Sequence, residues 1–222
     1  MGRKARAGKT ARRYDATGRA AQAARNRAIV LECAERLFLQ QGYAGTTIVA
    51  IAAAAGVSVE TIYKAFGGKA GLVRGIREWR LAGSGHVPAE ARSDRARLQE
   101  SDPRALIAAW GQLTAEVAPL VSPILLLLRA AAATDADAAA LLAEMDASRL
   151  RRMRLNARHL YDSGHLRDGV TLQQAADVLW TYSAPELYEL LVLRRRWSAK
   201  RYGQFVGDAM IAALLSGRRA ER

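Results

Sequence analysis

The sequence predicts an all-α protein with a small helix-turn-helix unit near its start and a larger helical part behind it. Three observations carry this. Alanine and leucine abound while prolines number only five, and β-branched runs are few. Apolar residues recur at helical spacing between Gly, Ser and Thr stops. Half of the 222 residues are apolar and a quarter charged, the balance of a globular chain of one or two small domains.

Residues 1–24 are Gly, Ala and Arg without an apolar stripe and are expected to form a basic, flexible arm, unstructured or weakly helical. From Arg25, Ile29, Cys33, Leu37 and Phe38 fall at helical spacing, with Gly42 as a stop. Thr46 and Thr47 are natural N-caps for a short helix that ends at Gly56, and Ser58 caps the next, "VETIYKAF". "GGK" (67–69) breaks the chain before "AGLVRGIREWRL". Residues 82–101, rich in Gly, Ser, Pro and mixed charge, read as a linker. Asp102-Pro103 opens a helix to about Val117; Pro119 and Pro123 then punctuate the chain before a short apolar helix over 124–133. A long helix is expected from about Asp137 to Ser163. Another opens at Thr171 with capping-box spacing to Gln174, with a kink or restart at Pro185, and a last one runs from Ser198 to about Leu215.

The stretch from Thr46 to Phe66 meets the physical needs of a helix-turn-helix. Ala52, Ala53 and Ala55 keep the first helix slim enough for a close approach. Gly56 admits the left-handed conformation of a tight turn, and Val57 plugs the core beneath it. Ile62 and Phe66, four apart, bury the inner face of the second helix, which leaves Val59, Glu60, Thr61, Tyr63 and Lys64 facing outward. Small and polar groups at such an N-terminal end suit the reading of base edges.

Charge agrees. The net charge of +13 draws the chain to polyanions, and residues 1–27 alone hold nine Arg or Lys against Asp15. Such a run serves equally as a solubilising tail. No stretch looks long and apolar enough to cross a membrane: "ILLLLRAAAA" (124–133) is interrupted by Arg129 and falls short of the roughly 20 residues required. The basic start lacks the apolar core of a secretory signal. The single cysteine, Cys33, rules out an intrachain disulfide and fits a cytoplasmic location. His86, His159 and His165 lack metal-ligand spacing, and "GSGH" (83–86) lacks the pattern of a nucleophile elbow. No cofactor, metal site or enzymatic activity is therefore expected.

The series Thr46, Thr47, Ile51, Ala52, Ala55, Gly56, Val57, Ser58, Thr61, Tyr63, Phe66, Lys69, Leu72 resembles the signature of the tetracycline-repressor (TetR/AcrR) family of bacterial regulators. The resemblance covers residues 25–80, and residues 176–206 also look like the C-terminal segment of many members. It implies a helix-turn-helix DNA-binding domain over 25–81 and a helical ligand-binding and dimerisation domain over 102–216. It implies that Thr47 meets a phosphate, that Val59, Glu60 and Thr61 face the major groove, that Tyr63 and Lys64 reach backbone or base edges, and that Lys69 contacts phosphate. Many members carry an aromatic residue or histidine two positions after this tyrosine, where this chain has Ala65. Plainer roles stand beside these: Thr47 and Ser58 as caps alone, Tyr63 packed on the first helix, Glu60 paired with Lys64. In the arm, Arg12, Arg13 and Arg19 are the candidates for phosphate or minor-groove contact.

The resemblance further implies a homodimer pairing through the helices near 137–163 and 171–195, whose apolar faces serve equally as internal core. Trp110, Leu113, Met145, His159, Trp180 and Tyr182 are candidate liners of an effector pocket. The expectation is a repressor on a palindromic double-stranded DNA operator, released by a small apolar ligand. The alternative is an architectural or partner-regulated DNA-binding protein without an inducer.

Overall fold

The computed structural model describes residues 11–82 and 87–216, with side chains from Gly18 onward. The described residues are all helix and turn: α1 (Ala11–Gly45), α2 (Ile48–Ala55), α3 (Val59–Phe66), α4 (Lys69–Ala82), α5 (Ala89–Gln99), α6 (Pro103–Ala131), α7 (Ala136–Asp162), α8 (Leu172–Tyr182), α9 (Pro185–Tyr188), a π-helical stretch (Glu189–Arg194) and α10 (Ala199–Leu214).

Four expectations need correction. First, α1 begins at Ala11 rather than near Arg25, and breaks at Gly42 (φ 79°, ψ 167°). Residues 18–27 of α1 are exposed, so alanine and arginine propensity and local bonds such as Arg25 to Gln22 (2.7 Å) hold this stretch rather than packing. The buried stripe is also rotated: Val30, Leu31, Ala34, Leu37 and Phe38 are buried, while Ile29 faces solvent and Cys33 is half-buried. Second, the expected linker contains α5. Only Ala89 and Ser93 of this helix are buried, which is why no apolar period announced it. Polar ties hold it instead: Arg152 to Asp94 (2.9 Å), Asn156 Nδ2 to Ser93 (3.4 Å), and Arg92 to Glu116. His86 lies outside the described residues.

Third, Pro119 and Pro123 do not divide the chain. They sit inside the continuous 29-residue α6, four apart and therefore on one face. Each withholds one N–H, from the carbonyls of Ala115 and Pro119, and the packed inner face of the helix outweighs that loss. Fourth, α6 is consequently long and apolar enough to cross a membrane, which the stretch 124–133 taken alone is not. Here its apolar residues serve both cores.

The α8 and α10 caps form where the sequence placed them, and α7 is capped by Asp135. Thr171 and Gln174 make a complete capping box, and Ser198 accepts from the Arg201 N–H at 3.2 Å. The chain restarts at Pro185 as α9, and the π-helical stretch that follows had no signal in the sequence.

Two apolar clusters hold the molecule. One joins α1–α4 to the C-terminal half of α6 (Val121, Ile124, Leu125, Leu128) and the N-terminal half of α7 (Ala138, Leu141, Met145). The other joins the N-terminal half of α6 to Ala157 and Leu160 of α7 and to α8, α9 and α10. In the second cluster α6 and α10 cross almost backbone to backbone. A Cβ built on Gly111 would lie 2.6 Å from the Gly203 carbonyl oxygen and 2.7 Å from the Gly207 nitrogen. No side chain fits between them.

Candidate nucleic-acid interface and effector cavity

Helices α2 and α3 turn through 107° about a three-residue connection, within the range of a helix-turn-helix. Gly56 makes the turn at φ 66°, ψ 33°. Its N–H donates to Ala53 O and the Val57 N–H to Ala52 O, a Schellman arrangement that satisfies the last carbonyls of α2. Ile51 and Ala52 bury one face of α2, and Ile62, with no exposure at all, anchors α3 beneath the turn. The two threonines divide their labour. Thr46, fully buried, donates to the carbonyls of Gly42 (2.8 Å) and Leu37 (3.1 Å), while Thr47 alone is the N-cap, accepting from Ala50 N at 3.1 Å.

Helix α3 presents Glu60, Thr61, Tyr63, Lys64 and Ala65 to solvent, with Tyr63 54% exposed. Val59 is half-buried and packs on the first apolar cluster, which leaves it less available than its neighbours. Ser58 caps α3 through the Thr61 N–H (3.2 Å), and the two hydroxyls are 3.1 Å apart. The Glu60 carboxyl is held below the usual carboxylate range by its own backbone N–H and then by the Ser58 hydroxyl. Among the described residues it makes no ion pair with Lys64.

Lys69, expected beside a phosphate, also has internal partners. Its Nζ donates to the carbonyls of Tyr43 (2.9 Å) and Ala44 (3.3 Å) and lies over the Tyr43 ring, closing the C-terminal end of α1. A different set of cations borders α3: Arg27, stacked over the Phe66 ring at 4.5 Å, and Arg74 form a shallow groove with Tyr63 and Lys64. The sequence reading missed Arg27, because the placement of an exposed arginine beside α3 depends on how α1 crosses it. It also missed Val49, 66% exposed two residues after Thr47. Arg19 lies on the exposed start of α1, while the side chains of Arg12 and Arg13 lie outside the described residues.

A cavity of about 160 Å³ lies among α4–α10. Trp110, Leu113 and Met145 line it; His159, Trp180 and Tyr182 do not. Trp180 instead lies under the Arg149 guanidinium at 4.5 Å, and Tyr182 meets the edge of Phe205. His159 sits half-buried near the end of α7, where burial, then Arg97, lowers its pKa. Leu187 and Leu191 pack partly on the second core, and Leu190 is half exposed. The cavity's polar wall was not foreseen: Arg77, Glu90, Asp146, Arg149, Arg152 and Asn156. No periodicity could have singled these out, since they come from α4, α5 and α7.

Residues 30–76, which carry the whole helix-turn-helix, match the sequence model described as "Bacterial regulatory proteins, tetR family". Over these residues the chain carries the domain that this model describes. Solved structures agree in fold. The SmeT–triclosan complex is 23% identical, with a TM-score of 0.65 over 87% of this chain and 93% of that one. NalD, the secondary repressor of the MexAB-OprM multidrug efflux pump in Pseudomonas aeruginosa, is 20% identical, with a TM-score of 0.66 over 86% and 97%. The regulator FadR from Bacillus subtilis, in complex with stearoyl-CoA, is 15% identical, with a TM-score of 0.67 over 84% and 98%. No curated protein matches the chain in sequence. The match marks the chain as a DNA-binding regulator of the tetR type, with α3 as the second helix of its helix-turn-helix.

Proposed function

We propose that the chain is a homodimeric, one-component repressor that sits on a palindromic operator in the cytoplasm and is released by a small, largely apolar effector. The observation that carries this reading is the position of α4. Arg77 and Leu81 of this helix wall the cavity, while Leu72, Val73 and Ile76 of the same helix lie in the core that seats α2 and α3. A molecule in the cavity therefore touches the helix on which the recognition helix rests. It shifts the DNA-binding equilibrium by its differential affinity for the two settings of α4. Exposed apolar side chains support pairing through the segments 137–163 and 171–195: Leu155 and Tyr161 on α7, Leu190 and Leu193 on the π-helical stretch. A twofold dimer would set two α3 helices about 34–36 Å apart, one turn of DNA.

Selecting DNA fragments that the full-length protein retains, then footprinting them, tests the reading. A short protected palindrome is expected, lost on adding one compound from a metabolite and drug panel. Tyr63→Ala and Lys64→Ala are each expected to weaken it at least about tenfold while the dimer persists, and Lys64→Ala to reduce the salt slope by about one. Broad protection indifferent to sequence would overturn the operator reading in favour of an architectural protein.

A further inference from the structure

We propose that the cavity is built for a small monocarboxylate, with Arg77 receiving the carboxylate and a single ring or short alkyl chain filling the apolar remainder. The inference rests on the cavity being the effector site. It starts from the three guanidiniums of the wall. Arg149 donates to Ser183 Oγ (3.1 Å), to the Trp180 carbonyl and to Asp146 (3.4 Å). Arg152 donates to Asp94 (2.9 Å) and to the Glu90 carbonyl. Arg77 makes no hydrogen bond or ion pair among the described residues. The carboxylates that act on it, Glu90, Glu78 and Glu144, do so only at a distance, and Glu144 is held bidentately by Arg74 (2.6 and 3.0 Å). Burial depresses the pKa of Arg77, yet an arginine keeps its proton. The wall thus holds a half-buried cation without a hydrogen-bonded partner, which an arriving anion would satisfy.

Further orphaned groups lie in the same wall. Trp110 Nε1–H, Arg152 Nε–H and Asn156 Oδ1 are buried without partners among the described residues. The uncommitted guanidinium of Arg77 calls for a ligand end rich in acceptors, which a carboxylate supplies in the planar form that an arginine fork matches. A phosphate dianion fits less well, because Glu90 and Asp146 also face the space and only one guanidinium is uncommitted. The rest of the wall is apolar, with Leu113, Val117, Leu125 and Met145. The volume, about 160 Å³, is close to the ~150 Å³ of a cavity that holds one benzene. That limits the body to about one ring or a chain of similar volume.

Calorimetry on the full-length protein with benzoate, phenylacetate and hexanoate against benzamide, phenylacetamide and hexanamide tests this. At least one acid is expected to bind tenfold to a hundredfold more tightly than its amide, roughly the effect of one charged hydrogen bond. Arg77→Met should erase that preference and Arg77→Lys restore part of it. The unliganded Arg77→Met protein should melt no lower than the parent, because no internal partner is lost; a lower melting point would mark Arg77 as structural. The proposal is overturned if amides bind as tightly as acids, if no acid binds below about 1 mM, or if Arg77→Met keeps the preference. Measuring DNA release with the same compounds separates the two readings. An Arg77-dependent acid that binds without releasing DNA sinks the effector role and leaves the ligand class standing. Release by a neutral compound, with no acid binding, does the reverse.

Discussion

Gly111→Ala probes the tightest crossing in the molecule. The new Cβ would meet the Gly203 oxygen at 2.6 Å and the nitrogen and Cα of Gly207 at 2.7 and 2.8 Å, all backbone of α10. Ordinary contact begins near 3.4 Å, so the helices would have to part by about 0.6–0.8 Å. Neither is free to do so, because Leu106, Ile107, Tyr202, Val206 and Met210 are packed around the crossing. Overpacking of this kind costs about 1–3 kcal/mol, and rigid backbone places it at the upper end. Replacing a helical glycine by alanine returns about 0.5–1 kcal/mol. The net is about 2 kcal/mol, or roughly 4–8 °C in Tm for a chain of this size. Thermal melts at fixed protomer concentration measure it, with Gly75→Ala as the control. There the nearest atom is Leu31 Cδ2 at 2.9 Å, the end of a flexible side chain, and the change should fall within about 2 °C. If Gly111→Ala melts no lower than Gly75→Ala, the backbones of α6 and α10 are not in contact.

Two further substitutions address the DNA-binding half. Lys69→Ala removes a cation from the C-terminal end of α1 and should cost about 1 kcal/mol in urea unfolding, with a smaller loss of DNA affinity than Tyr63→Ala. Unchanged stability with a large loss of DNA binding would favour the phosphate role that its sequence position suggested over the structural one. Glu35 is 7% exposed and receives Arg80 Nε on both carboxylate oxygens, each at 3.0 Å, with Nη2 donating to Oε2 as well. Because Arg80 keeps a third of its side chain in solvent, Glu35→Ala should cost about 2–3 kcal/mol by denaturant unfolding, less than the ~3–5 of a fully buried pair. A loss under about 0.5 kcal/mol would show the pair to be incidental.

What the sequence made legible was local. Thr47, Ser58, Thr171 and Ser198 are read as caps from one or two neighbours, and they cap. Gly56 is read as a turn because few residues other than glycine occupy its conformation cheaply. The failures needed a partner element. Proline signals a break only if packing cannot outweigh it, and the two cores gripping α6 do outweigh it. Helix α5 has no apolar stripe to announce it, because its ties are polar and come from α6 and α7. Trp180 was a reasonable pocket residue by type, but Arg149 turned out to cover it. Arg77 was invisible as a site residue, since an isolated arginine in "VRGIREWR" (73–80) reads as a solvated face.

The sharing of the first core has a bearing on protein engineering. Val121, Leu125, Leu128, Leu141 and Met145 complete the apolar seat of the DNA-reading unit. A cut after residue 82, where composition suggests a seam, would strip that seat. A chimera that transplants residues 25–81 onto a foreign sensor would inherit an open hydrophobic wound, and its solubility would fail before its specificity could be judged. The transferable module has a discontinuous boundary: the first four helices together with the facing ends of α6 and α7.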